Sequence, residues 1–155
     1  MEQKELLIMS QFRRNARENL TKASRRTGIP VSTLYDRLKK YEGSLIKKHT
    51  TLLNFSALGF SLKVLMIIKV LPERKDSIMH HLEKHHRVNS LYKIANGYDI
   101  MLEGIFKDLR EYQIFCESID AFSIQDRQDF FVIEDIKQED FLANEEYLEI
   151  LGQAL

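Results

Sequence analysis

Between Ser32 and Lys48 the chain gathers hydroxyls, a phenol, a carboxylate, a guanidinium and four ammonium groups: Ser32, Thr33, Tyr35, Asp36, Arg37, Lys39 and Lys40, then Lys47 and Lys48. Hydroxyl and fork-shaped donors near the start of a helix can reach base edges in the major groove of a duplex, and the cations around them can hold phosphates. On this chemistry Ser32, Thr33, Tyr35 and Arg37 are expected to make base or mixed contacts, and Asp36 to read a cytosine or pair with a neighbouring cation. Arg25, Lys39, Lys40, Lys47 and Lys48 are expected to hold phosphates. A charged helix face is more often merely solvated. Here, however, cations fall on three successive elements together, which favours the phosphate reading.

Two other groups of residues invite chemistry. His80, His81, His85 and His86 crowd one segment, and the i, i+4 spacing of His81 and His85 can chelate a metal. No Glu follows the first His as in HExxH, and no Cys is near, so exposed histidines favoured by a helix C-terminus are the expectation and no metal site is. Asn96-Gly97-Tyr98-Asp99 carries a strong turn signal. No P-loop, GxGxxG or GxSxG occurs, and Asp126, Asp129, Glu134 and Asp135 read as a strand rim. No enzymatic activity and no cofactor are expected.

The elements that would position these residues follow from periodicity. Leu7, Ile8 and Phe12 share a stripe over Lys4 to Arg14; Asn19 caps a short helix over Leu20 to Thr27, stopped by Gly28; a third helix runs from Val31 to Glu42 with Leu34, Leu38 and Tyr41 inward. Leu45 to Leu53 reads as a two-stranded wing, and the whole as a winged helix-turn-helix over residues 1–53, with a hinge at 54–60. Beyond the hinge the expected elements are a strand over Leu62 to Leu71, a helix over Asp76 to His86, a strand over Val88 to Ala95, the Asn96-Gly97 hairpin, a strand over Tyr98 to Phe106, a helix over Leu109 to Ala121 and a last strand over Phe130 to Ile136. That order, β-α-β-β-α-β, predicts an α+β chain with a ferredoxin-like domain over 61–137. Residues 138–155 are expected to form a helix or tail.

The chain has 155 residues and a net charge of zero, but residues 1–60 hold 12 Lys/Arg against 5 Asp/Glu and residues 61–155 hold 11 against 18. One half at +7 and the other at −7 fits a first half that meets a polyanion, because counterions respond to the local basic face and not to the total. A single cysteine, Cys116, fits a small core hydrophobe in a reducing cytoplasm. Met1 to Lys4 lead straight into a charged amphipathic segment, so no secretion signal is expected. The longest apolar run, Val64 to Val70, is strand length, and no membrane association is expected.

From about Glu5 to Phe141 the chain resembles the Lrp/AsnC family of feast/famine transcription regulators. The resemblance is carried by Asn15-Ala16-Arg17, Gly28-Ile29, Tyr35-Asp36-Arg37-Leu38, Thr50-Thr51-Leu52-Leu53-Asn54 leading to Leu58-Gly59, then Gly97-Tyr98-Asp99 and Phe131-Val132-Ile133-Glu134-Asp135. It implies a sequence-specific regulator of double-stranded DNA, pairing of ferredoxin-like domains through their sheets into a homodimer, and assembly into tetramers or octamers. It also implies an amino acid or related effector near the loop where members carry Gly-x-Tyr/Phe-Asp; Asn96 stands here for the first glycine. At Asn96, Gly97, Tyr98 and Asp99 two readings are open: an effector site, or a turn in which Asp99 satisfies backbone amides. The alternative function is a cofactor-free haem-pathway decarboxylase of the same architecture, whose winged-helix half has lost its DNA role.

Overall fold

The computed structural model describes residues 3–144. They divide into two compact units: residues up to Leu52 with the segment from Ile136 onward, and Leu53–Asp135.

In the first unit, α1 (Gln3–Arg14), α2 (Leu20–Thr27) and α3 (Val31–Tyr41) bury Ile8, Ala23, Ile29, Leu34 and Tyr41 together. Asn19 caps α2 by accepting the Thr21 N–H at 2.8 Å. Gly28 closes it at φ 67°, a left-handed conformation that a side chain would strain. The next residue, Ile29, is buried, so the Gly28-Ile29-Pro30 turn pins the start of α3 against α2.

The expected two-stranded wing does not form. Gly43 accepts a left-handed turn, Ile46 N–H donates to the Tyr41 carbonyl at 2.9 Å, and one isolated bridge, Glu42 to Ile46, is all the pairing between Gly43 and Leu53 among the described residues. The half-buried Ile46 packs back on the helical core, and the exposed 47–54 stretch has no ladder partner. An apolar and β-branched composition favours extended backbone but does not supply the second strand. The helix expected from Glu139 is also absent over 139–144, where Glu139 and Leu142 have positive φ; its remainder lies outside the described residues.

The second unit is a four-stranded antiparallel sheet of order β2-β3-β1-β4, built from β1 (Leu62–Val70), β2 (Val88–Lys93), β3 (Ile100–Phe106) and β4 (Ile124–Val132). Helices α4 (Lys75–Lys84) and α5 (Leu109–Asp120) complete the β-α-β-β-α-β order. Alternation along β1 sends Val64, Met66, Ile68 and Val70 into the core with Ile78 and Leu82 of α4 and Phe115 and Ile119 of α5. Gly104 leaves room on that face for the Phe106 ring: a Cβ there would stand 2.6 Å from Phe106 Cε2. The opposite face carries Leu65 and Ile67, with Phe130 opposite Leu65 and Met101 opposite Ile67. None of these four is buried, and Phe130 is 51% exposed.

Two strand boundaries differ from expectation. β4 starts at Ile124, not Phe130, although Gln125 to Asp129 are polar. Arg127 and Asp129 turn toward the helix layer, where the Tyr112 hydroxyl donates to Asp129 Oδ2 at 2.5 Å and Arg127 Nε donates to it at 3.1 Å, while Asp129 Oδ1 is buried without a hydrogen-bond partner among the described residues. The Asn96-Gly97 pair does not make a two-residue hairpin: Lys93 pairs with Ile100 and residues 94–99 form a six-residue loop. Among the described residues no helix is long and apolar enough to cross a membrane.

Candidate nucleic-acid interface

The helix α3 is seated by Leu34 and Tyr41, which leaves Ser32, Tyr35, Asp36, Lys39 and Lys40 exposed and Thr33 half-buried. Among the described residues no side chain caps its N-terminus at Pro30. Arg25 on α2 and Lys47 and Lys48 beyond α3 are exposed, and none of them makes an ion pair among the described residues. The structure therefore brings Arg25, the outer face of α3 and the 47–48 pair onto the exposed surface of one unit.

One residue departs from the expected pattern. Arg37, expected outward, is half-buried, and its Nη1 is closed from solvent with no hydrogen-bond partner among the described residues. It lies one helical turn from Tyr41, whose hydroxyl donates to Glu5 Oε1 at 3.0 Å. Burial and the Glu5 carboxylate push the Tyr41 pKa up, while the Arg37 guanidinium opposes the rise.

Two further cations of this half, Arg13 and Arg26, are already engaged. Arg26 pairs with Glu18 at 3.3 Å and bonds Gln11, while Arg13 pairs with Glu139 and donates to the Phe141 carbonyl at 3.2 Å. Arg14, Arg17 and Lys22, which sequence reasoning did not single out, are exposed without such pairs among the described residues. Their charge was the only signal.

The 94–99 loop folds over the end of β1. Asn96 and Gly97 both take positive φ, 69° and 96°. Asp99 accepts the Val70 N–H at 3.0 Å and pairs with Lys75 at 2.6 Å; that ion pair first, and the backbone bond second, hold its carboxyl below the usual range. The Tyr98 hydroxyl donates to Asp126 at 2.8 Å and accepts from Gln128 at 2.6 Å, and the Asp126 carboxylate pushes its pKa up. Asp99 thus satisfies a backbone amide of β1, and Asn96 and Gly97 stay exposed.

In the histidine cluster His85 stacks on His86, His81 lies tilted against His85 and Phe122, and His85 meets Phe115 edge to face, so His81 and His85 are half-buried and not exposed as expected. No group of three or more His, Cys, Asp or Glu suited to a metal ion stands together among the described residues. Cys116 is buried, which pushes its thiol pKa up.

Residues 63–141 match the family model described as the Lrp/AsnC ligand binding domain. The HTH-type transcriptional regulator FL11 of Pyrococcus abyssi is 27% identical over 113 residues, covering 72% of this chain and 75% of the relative. A transcriptional regulator of Neisseria meningitidis, solved as its complex with L-Met, superposes with a TM-score of 0.82 at 20% identity, over 89% of this chain and 93% of that one. E. coli AsnC superposes with a TM-score of 0.77 at 17% identity, over 89% and 95%.

Proposed function

Because the chain belongs to the Lrp/AsnC family, we propose that it is a sequence-specific regulator of double-stranded DNA, whose first half acts as a helix-turn-helix with α3 as the reading helix. The observation that carries this reading is the exposed set Arg25, Lys39, Lys40, Lys47 and Lys48, without ion pairs among the described residues, around the hydroxyl-bearing start of α3 in the half of the chain that is strongly positive. Ser32, Tyr35 and Asp36 reach base edges, Thr33 shares the first turn with them, and the cations hold the flanking phosphates. With no two-stranded wing, Lys47 and Lys48 act from an extended segment.

The assembled form is a homodimer, with tetramers or octamers built from it. The helix-free sheet face supports this: Leu65, Ile67, Met101 and Phe130 make an apolar centre, and Lys63, bonded to Asp135 at 2.6 Å, lies on the same face. Two such faces stacked together would bury what one chain leaves open. The 94–99 loop is the effector position, taking an amino acid or related molecule, with Asn96 and Gly97 as the exposed groups and Tyr98 and Asp99 as its framework. Such a regulator works in the cytoplasm, without catalysis.

The experiment is selection of bound fragments from the source genome with the purified chain. Enrichment of a pseudo-palindromic motif, with half-sites about one helical turn apart or a multiple of it, is the expected result. Recovery of fragments without any shared motif would remove the claim of sequence specificity.

A further inference from the structure

Arg37 lies on the flank of α3 that carries Thr33 and Lys40, beside the buried stripe and away from Ser32, Tyr35 and Lys39. At about 100° per residue, Arg37 lies about 40° around the helix from Tyr41 and about 60° from Leu34, both buried, but about 160° from Tyr35 and Lys39 and about 140° from Ser32. It therefore belongs to the inner edge of the helix. Its burial agrees: the side chain is half-buried and Nη1 is sealed from solvent.

An arginine that reads guanine presents both ends of its planar fork to the base edge. Here one end is closed off inside the unit. One turn along the helix from Arg37 stands Tyr41, whose hydroxyl donates at 3.0 Å to the half-buried carboxylate of Glu5 on α1 and whose pKa the Arg37 guanidinium pulls down. A carboxylate, a neutral phenol and a guanidinium thus follow one another from α1 to α3. Such a set has its lowest energy in one geometry, because turning α3 about its axis would separate the phenol from the carboxylate and leave part-buried charges unmet.

From this arrangement we infer that Glu5, Tyr41 and Arg37 form a tie that fixes the rotation of α3 against α1, and that Arg37 is a positioning residue for DNA recognition and not a reader of bases. The inference rests on α3 being the reading helix. It assigns to Glu5, which lies on a different helix from the proposed readers, a part in how tightly the operator is held. The rotation of α3 decides whether Ser32, Tyr35, Asp36 and Lys39 face the groove together.

The test uses the full chain and duplexes that the parent protein selects from a random library. Affinity for the selected duplex and for each of its single-base variants is measured for E5Q, Y41F, R37A and the E5Q/R37A double variant, with circular dichroism confirming that each is folded at the assay temperature. The expected result has three parts. E5Q and R37A each weaken the selected duplex by about tenfold; the loss is the same for every single-base variant, so the preferred motif is unchanged; and the double variant is no weaker than the worse single one, as for groups acting as a unit.

Loss of preference at one base pair in R37A, with E5Q binding like the parent, would overturn the inference, as would parental affinity in both. A purely stabilising role would lower the melting temperature without changing affinity, and would overturn it too. Should R37A fail to fold, E5Q and Y41F decide: a shared, motif-independent loss upholds the tie, and parental affinity in both sinks it. If the parent protein selects no duplex at all, the regulator reading fails first, which is a distinct outcome.

Discussion

The Lys75 ammonium lies 2.6 Å from one oxygen of the Asp99 carboxylate, while the other oxygen accepts the Val70 N–H at 3.0 Å. One side chain thereby ties the 94–99 loop to the start of α4 and the end of β1.

Because Asp99 titrates below its unfolded value when folded, it contributes stability that is present above that unfolded pKa and is lost as the pH falls through the folded one. Lys75→Ala removes the largest cause of the depression. Acid unfolding followed by circular dichroism should then begin at a higher pH than in the parent. Coincident acid transitions would mean that the ion pair is too solvated to matter.

Gly104 and Phe106 make a second testable contact. An alanine Cβ would stand 2.6 and 2.7 Å from two atoms of a fully buried ring held between Tyr112 and Phe115. Gly104→Ala should cost about 1–3 kcal/mol in urea unfolding, because the ring has no free space into which to move. A parental midpoint would show that the core yields easily there.

His85 caps α4 and accepts the Arg87 N–H on Nδ1 at 3.2 Å, with His81, His86 and Arg87 around it and the edge of Phe115 against its ring. Burial first, then these three cations or potential cations, lower its pKa. The neutral form is the one that folds well, so stability is full above the unfolded value of about 6.5 and falls as the pH drops below it toward the folded pKa. His85→Asn keeps an acceptor near the Nδ1 position and does not titrate. Its melting temperature should change less than the parent's between about pH 7 and pH 5. Parallel curves would exclude His85 as the source.

If the helix-free sheet face joins two copies, Leu65→Asp should convert the dimer to monomers at the same protein concentration in sedimentation analysis, since a carboxylate at the centre of an apolar interface has no partner. An unchanged mass would place the interface elsewhere.

Much of this architecture was legible because periodicity and caps are local. Asn19, Gly28 and the Leu34–Tyr41 stripe fixed α2 and α3 to within a residue, and the β-α-β-β-α-β order followed from the alternation after Leu62. What escaped depends on partners distant in sequence. β4 is polar at its start because Tyr112 of α5 and Arg127 meet Asp129, and no window around residue 125 contains Tyr112. The wing failed because Ile46 finds the helical core and not a second strand. The orientation of Arg37 was in principle readable, as it lies beside the buried stripe of Leu34 and Tyr41 on the helical wheel, next to Tyr41, but its charge outweighed its position. At 96–99 the chain signals a turn, and only the fold shows Asp99 occupied by Lys75 and Val70.

The central claim is that the basic half grips duplex DNA, and equilibrium binding to a selected duplex across a salt series tests it most directly. The account predicts a linear fall of log K with log salt, with a slope smaller by about one in Lys48→Ala at every sequence tested. Failure of the purified chain to bind any duplex in dilute buffer, or binding indifferent to salt, would contradict it.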